Sequence, residues 1–317
     1  MLDSFIRHPF MSRTGEPACS ARAFVEAMCR VEIALARVQE DAGLLASGAA
    51  ARIEGQLDVD AFDMDALAAD SADGGNVAIP FVKQAKAQLE PALRGDFHRG
   101  ATSQDIVDTA LMLVLKPRLN RCLTLLADCR RDGLAVMDRH VDTVMIGRTL
   151  MQQAMPITFG AKVAQWLWGL AQAEQRLAQT TANGLFVQFG GPVGAHTGLA
   201  DNGLDLMDAL AVELGLTSPM LPWHTDRQPV LALGDALGAV AVAAEKIALD
   251  LADKVADLAI VTPRVGDGGP ASGAQEAVQA LVALGYSFGE ADKAVRDVLE
   301  TGVPETTEEL IRQALAG

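Results

Sequence analysis

Apolar side chains recur at helical spacing through most of the chain. In residues 21–45, Phe24, Met28, Val31, Leu35 and Val38 fall on one helix face, and Gly43 supplies a stop. Helical stretches are also predicted over about 59–70 and 80–93, with the turn Asp73-Gly-Gly-Asn76 between them. Three long patterns follow. The first starts at Thr102-Ser-Gln-Asp105 and runs to about His140, with Pro117 predicted to kink or interrupt it. The second spans about Pro156 to Ala182. The third spans about Val230 to Val261, where Leu233, Leu237, Val240, Ile247, Leu251, Val255 and Leu258 keep heptad or 3-4 spacing. Helices of about 30 residues exceed the globular mean and predict an elongated bundle. The joins are rich in Gly and Pro: Gly190-Gly-Pro-Val-Gly194 and Pro219-Met-Leu-Pro-Trp-His224.

The pattern breaks after Val261. Residues 262–274 carry the Pro, Gly and Ser of a flexible linker. Beyond it, residues 275–284, 289–300 and 306–315 read as three short helices sharing Val278, Leu281, Val282, Leu284, Tyr286, Val295, Val298, Leu310 and Ile311. The predicted organisation is an N-terminal helical domain (1–101), a long-helix bundle (102–261), the linker (262–274) and a three-helix module (275–317).

Composition supports an all-α chain: half the residues are hydrophobic, Ala and Leu dominate, and only 4% are aromatic. A length of 317 residues suffices for one large core, or for a main domain and a small one. The net charge of −15 repels phosphate backbones, so direct nucleic-acid binding is not expected. It leaves room for an anionic small molecule met by a few focused cations. Cys19, Cys29, Cys122 and Cys129 form no CxxC pair; Cys122 and Cys129 lie one heptad apart and read as buried thiols. No ligand spacing points to a metal or organic cofactor. No apolar run is long enough to span a bilayer, and no signal core is evident, so a soluble cytoplasmic protein is expected.

Three segments carry candidate chemistry. In Phe97-His-Arg-Gly-Ala-Thr-Ser-Gln-Asp-Ile-Val-Asp-Thr109, Thr102 and Asp105 make a capping pattern. Hydroxyls and free amides at such a helix start serve equally as an ordinary cap or as a carboxylate site. Gly147-Arg-Thr-Leu-Met-Gln-Gln-Ala-Met-Pro-Ile-Thr-Phe-Gly160 offers Arg148, Thr149 and Gln152, and Lys162 follows; these are carboxylate ligands or solvated surface groups. Gln188-Phe-Gly-Gly-Pro-Val-Gly-Ala195 with Pro222-Trp-His-Thr-Asp-Arg227 places His224 near Arg227, a pairing suited to anion recognition, proton transfer or local capping.

Together, GATSQD, GRTxxQxAxPITFGxK, the FGG loop and PWHTxR over about residues 3–255 resemble the fumarase/aspartase superfamily, most closely its carboxymuconate cycloisomerase branch. The resemblance implies a small polycarboxylate substrate, a tricarboxylate diene closed to a lactone, and a homo-oligomer, a tetramer in the family. It implies that Thr102, Ser103 and Gln104 bind substrate with Arg148, Thr149, Gln152, Lys162 and Arg227. His98, Ser103 and His224 then become the candidate catalytic residues. Leu150 stands where adenylosuccinate lyases usually carry histidine, which counts against an adenylosuccinate or argininosuccinate type. Gln153 stands where many cycloisomerases have histidine.

Family members continue the third long helix into a serine-bearing loop reading roughly GSSxMPxKxNP. Here Gly268-Gly-Pro-Ala-Ser-Gly273 echoes it, but no MPxKxN follows, and Ser272 reads as a linker residue. The resemblance therefore implies a lyase body without its third catalytic segment, with impaired turnover. The tail, LxxLGY and EAxxAV within residues 276–295, resembles the C-terminal domain of the Holliday-junction protein RuvA. That resemblance implies a contact with a RuvB-like ATPase and no grip on DNA.

Overall fold

The computed structural model describes residues 19–150, 152–197, 199, 202–258, 274, 277–278, 280–281, 288–302, 304 and 306–316. The chain divides into two compact units, residues 1–243 and 244–317. The predicted linker, apart from residue 274, lies outside the described residues, as do Ser272, Val282, Leu284 and Tyr286.

The first unit is built on helix α1 (Ala21–Asp41). The Ser20 hydroxyl accepts from the Ala23 amide at 3.2 Å and caps its start. Its end closes as the glycine predicts: Gly43 takes φ 71°, its amide donates to Glu40 O, and the Leu44 amide donates to Gln39 O at 2.8 Å. Met28, Val31, Leu35 and Val38 are buried and Phe24 packs at the edge of the same core. Glu32 and Gln39 are buried on this helix as well. Helix α1 packs on α2 (Ala49–Gln56), α5 (Ser103–Arg139) and α7 (Gly203–Leu214). A 3-10 turn (Val59–Ala61), α3 (Met64–Gly74) and α4 (Ala78–Gln88) add Phe62 and Phe81, stacked 5.3 Å apart, and Phe97 from the turns that follow lies 6.5 Å from Phe81.

Several local expectations need correction. The stretch read as one helix over 59–70 is a 3-10 turn followed by α3, because Asp63 caps a new start by accepting from the Ala66 amide. Pro117 does not interrupt α5, which runs for 37 residues. The heptad reading of the thiols holds poorly: Cys29 is buried and Cys122 half-buried, while Cys19 and Cys129 are exposed. The largest departure lies in residues 144–158. They form an antiparallel hairpin, β1 (Val144–Thr149) with β2 (Gln152–Thr158), irregular at Gly147. Burial alternates between exposed and half-buried over Val144–Arg148, although the residues themselves do not alternate apolar with polar, and the helical segment begins only at Phe159.

Helix α6 (Phe159–Asn183) returns antiparallel along α5. Arg130 donates to Glu174 at 2.9 Å, and Gly133 faces Leu167. Helix α8 (Gln228–Leu258) completes the three long helices, although its predicted end at Val261 lies outside the described residues. Leu125 and Leu134 of α5, Trp168 of α6, and Leu231, Leu237 and Val242 of α8 are exposed. No helix among the described residues is long and apolar enough to cross a membrane.

The second unit contains α9 (Phe288–Thr301) and α10 (Thr307–Ala316), with helical residues at 277–278 and 280–281. Ala277, Val278, Leu281, Ala291, Val295 and Leu310 form its core, with Val298 and Ile311 packed against it. This core contains the described part of the apolar set read from the sequence.

The base of the hairpin is set by Gly160. Its amide donates to His140 O at 2.8 Å, and a Cβ there would lie 2.8 Å from Val141 Cα and 2.9 Å from His140 O. Backbone offers little room to yield. Gly160→Ala is therefore expected to cost about 1–3 kcal/mol, seen as a lower urea midpoint at unchanged helical signal. An unaltered midpoint would show that the junction is looser than this geometry.

Candidate functional site

The N-terminus of α5 is where the sequence motifs converge. Thr102 is its N-cap, in extended backbone. Asp105, one turn into the helix, is almost fully buried. Its Oδ1 accepts from Gln188 Nε2 at 2.9 Å and the Gly190 amide at 3.1 Å. Its Oδ2 accepts from the Gly191 amide and the Thr102 amide, both at 2.9 Å. One carboxylate thus joins the helix start to the FGG loop. Burial pushes the Asp105 carboxyl above the usual carboxylate range, and these four donors pull against that shift.

The residues around it extend the same network. The Gln188 amide donates to Thr109 Oγ1 at 2.8 Å, and that hydroxyl donates to Gln188 O at 2.9 Å. Gln188 Oε1 accepts from the Trp223 amide at 2.8 Å, and Trp223 Nε1 donates to Val187 O at 2.9 Å. Arg227 forms a two-point pair with Asp108, at 2.6 and 3.0 Å, and lies over the Trp223 ring. Gln104 Nε2 donates to His224 O. Close approach of the three loops requires glycine at two positions. A Cβ on Gly191, at φ 72°, would meet Gly100 O at 2.9 Å, and one on Gly100, also at 72°, would meet Leu199 at 2.6 Å.

Six of the sequence-derived candidates therefore share one region: His98, Thr102, Ser103, Gln104, His224 and Arg227. Their roles differ. Arg227 has its fork occupied by Asp108, and the amide of Gln104 holds the His224 loop. Thr102 and Ser103 sit half-exposed at the helix start, where free amides and the dipole favour an anion. His224 keeps a buried Nδ1 without a hydrogen-bond partner. His98 bonds through Nδ1 to Glu32 at 2.6 Å. Asp105, Asp108, Gln188 and Glu32 are the polar residues that pattern reading missed as a set. Only Asp105, through its capping position, carried a local signal.

The other candidates lie elsewhere. Arg148, Thr149 and Gln152 sit exposed near the hairpin tip, and Lys162 lies at the start of α6 with Nζ 6.0 Å from the Trp166 ring centre. Leu150, 96% exposed, turns that tip in left-handed backbone at φ 48°. The hairpin follows the C-terminal end of α5, and a straight 37-residue helix is about 55 Å long. A hairpin of this size reaches about 20 Å. Within one chain, the tip thus stays roughly 30 Å or more from Thr102. Among the described residues, no group of three or more His, Cys, Asp or Glu is placed to hold a metal.

Comparison with known proteins places these elements in context. The profile of the lyase family matches residues 11–253, and that of the RuvA C-terminal domain matches residues 272–317. A 3-carboxy-cis,cis-muconate cycloisomerase from Bradyrhizobium diazoefficiens is 38% identical over 239 residues, covering 74% of this chain and 52% of that protein. A nitrosuccinate lyase from Streptomyces davaonensis is 37% identical over 79% of this chain and 55% of its own length. The crystal structure of the 3-carboxy-cis,cis-muconate lactonizing enzyme from Pseudomonas putida superposes with a TM-score of 0.74 at 34% identity, covering 78% of this chain and 57% of that one. The chain spans about half the length of the curated relatives it matches.

Two outcomes follow from this geometry. Asp105→Asn keeps the shape but turns an NH2 toward two N–H donors, and should cost about 2–4 kcal/mol in chemical denaturation despite being isosteric. A loss below about 0.5 kcal/mol would mean that the four bonds are not formed in solution. The second concerns Cys29, whose thiol is pushed up to about 12, first by burial and then by the charges of Glu32 and Glu26. At pH 8 a disulfide reagent should label Cys19 and Cys129 rapidly, Cys122 more slowly and Cys29 only on unfolding.

Proposed function

The chain belongs to the lyase family, and on that premise we propose that its body is a polycarboxylate-binding unit of the carboxymuconate cycloisomerase type. The observation that carries the reading is the joined helix start at Thr102–Asp105, with the FGG and 219–227 loops held on it. Thr102 and Ser103 present their hydroxyls, and Ser103 its helix amide, to one substrate carboxylate. His224 and His98 are the candidate groups able to hold or move a proton there. In lactonisation a carboxylate oxygen adds to one carbon of a C=C bond, and the neighbouring carbon takes up a proton. In reverse, loss of a proton next to a carboxylate builds a dianion that needs several donors.

Arg148, Thr149, Gln152 and Lys162 supply those further donors from another copy of the chain, since the intrachain separation is too large for one copy to close the site. The exposed Leu125, Leu134, Trp168, Leu231, Leu237 and Val242 support such an assembly, being apolar surface on long helices. A homo-oligomer, a tetramer by family analogy, is the state this reading requires. The family's serine loop has no counterpart between the lyase match and the RuvA-type match, so turnover is expected to be weak.

The RuvA-type match, with its own small core, favours a second role: the tail docks on a RuvB-like ATPase. Retention of such an ATPase by the immobilised chain at micromolar protein supports that role, and no retention removes it.

The test of the main reading is the ultraviolet absorbance of 3-carboxy-cis,cis-muconate, combined with calorimetric binding. The expected result is measurable binding, lost in Ser103→Ala and in Arg148→Ala, with slow or undetectable loss of the diene. Fast loss that Ser103→Ala abolishes would show that catalysis proceeds without the serine loop. Absence of binding to a folded oligomer would sink the assignment. Light scattering should report a multimer; a stable monomer would break the composite site.

A further inference from the structure

Glu32 and Gln39 lie two turns apart on α1, both buried, and both reach the segment that precedes the candidate site. Gln39 Nε2 donates to Arg99 O at 2.8 Å, while Arg99 Nη1 donates to Leu44 O at 2.7 Å. Glu32 Oε1 lies 2.6 Å from His98 Nδ1. The Glu32 side chain is fully buried and that of His98 is 17% exposed. His98 is also held at φ 64°, in left-handed backbone that a non-glycine residue adopts at a cost. The second carboxylate oxygen, Oε2, is buried without a hydrogen-bond partner. An orphaned buried oxygen and a strained histidine are each unfavourable for a purely structural contact.

We propose that Glu32 is the positioning residue of His98, locking its imidazole so that Nε2 is the nitrogen presented to substrate. The proposal rests on His98 belonging to the polycarboxylate site. A carboxylate only accepts hydrogen bonds, so Nδ1 carries its proton whether the ring is neutral or charged. Proton exchange and carboxylate recognition then fall to Nε2 alone. The ring cannot turn over without placing a C–H against Glu32. His196 provides the contrast within the same chain. Its Nε2 lies 2.9 Å from Phe189 O, and a carbonyl likewise only accepts, so His196 carries its proton on Nε2.

The experiment is a nitrogen-15 long-range correlation spectrum of the imidazoles in the full chain at pH 8, above the ordinary imidazole range. Assignments come from His98→Gln and His196→Gln. His98 is expected as the Nδ1–H form and His196 as the Nε2–H form. An Nε2–H form at His98 overturns the proposal from the wild-type spectrum alone, without relying on any Glu32 variant. In Glu32→Met, folded by its helical signal, the Nδ1–H signal of His98 should be lost while His196 is unchanged. Its retention would show that Glu32 is not what sets the tautomer. Adding tricarballylate, an unreactive tricarboxylate, should shift His98 Nε2 in the wild-type chain and much less in Glu32→Met. If the tautomers are as expected but tricarballylate shifts nothing, the polycarboxylate reading of the site fails, and with it the role given to Nε2. The Glu32–His98 lock itself would then stand.

Discussion

The Asp105 carboxylate is the constraint on which the rest of the site depends. A buried carboxylate is costly unless its lone pairs are filled, and here four N–H groups from the Thr102, Gln188, Gly190 and Gly191 residues fill them. Those donors come from segments more than eighty positions apart in the chain. Satisfying one group therefore fixes where the FGG loop meets α5. Once Gln188 is placed, its remaining oxygen takes the Trp223 amide, and the 219–227 loop is docked in turn. Arg227 on Asp108 closes the arrangement one helical turn further along. The Thr102 amide is held by Asp105, which leaves the Ser103 amide and hydroxyl at the helix start as the groups proposed to meet an anion.

The length of α5 imposes the second constraint. A 37-residue helix separates the candidate anion site at one end from Arg148 on the hairpin at the other. Helices do not shorten, so one chain cannot bring Arg148 to Ser103. The same length that gives the bundle its packing surface also leaves apolar positions on α5, α6 and α8 uncovered within a single copy. On the proposed reading, assembly and site completion are two consequences of this one length.

Much of this was legible in residue order, and the failures are instructive. The long helices, the Schellman end at Gly43 and the described part of the tail core follow from apolar period and glycine placement. The hairpin is not legible as such, because Val144-Met-Ile and Ala154-Met-Pro-Ile show no apolar–polar alternation. Its turn offered no Asn-Gly or Asp-Gly signal either; Leu150 occupies the left-handed position instead. The buried polar set was only partly visible. Asp105 stood out as a capping residue, whereas Asp108, Gln188 and Glu32 have no local signature, since their partners lie far along the chain or across the core. Arg227 illustrates the same limit. Sequence marks it as a cation near a histidine, and only the fold pairs it with Asp108.

That division between local and distant signals also explains why family motifs are read more easily than their roles. A motif such as GATSQD combines residues that face a ligand with residues that hold the backbone for them. Thr102 and Ser103 occupy the exposed start of the helix, while Asp105, in the same six residues, is sealed inside. The glycine before them serves neither purpose chemically. At φ 72° and with no space for a Cβ, Gly100 lets Leu199 and the Gly191 backbone approach. Three demands, on ligand, on buried charge and on close packing, are met within six positions. A substitution tolerated by one demand still meets the other two, so the motif behaves as a unit although only part of it faces the proposed substrate.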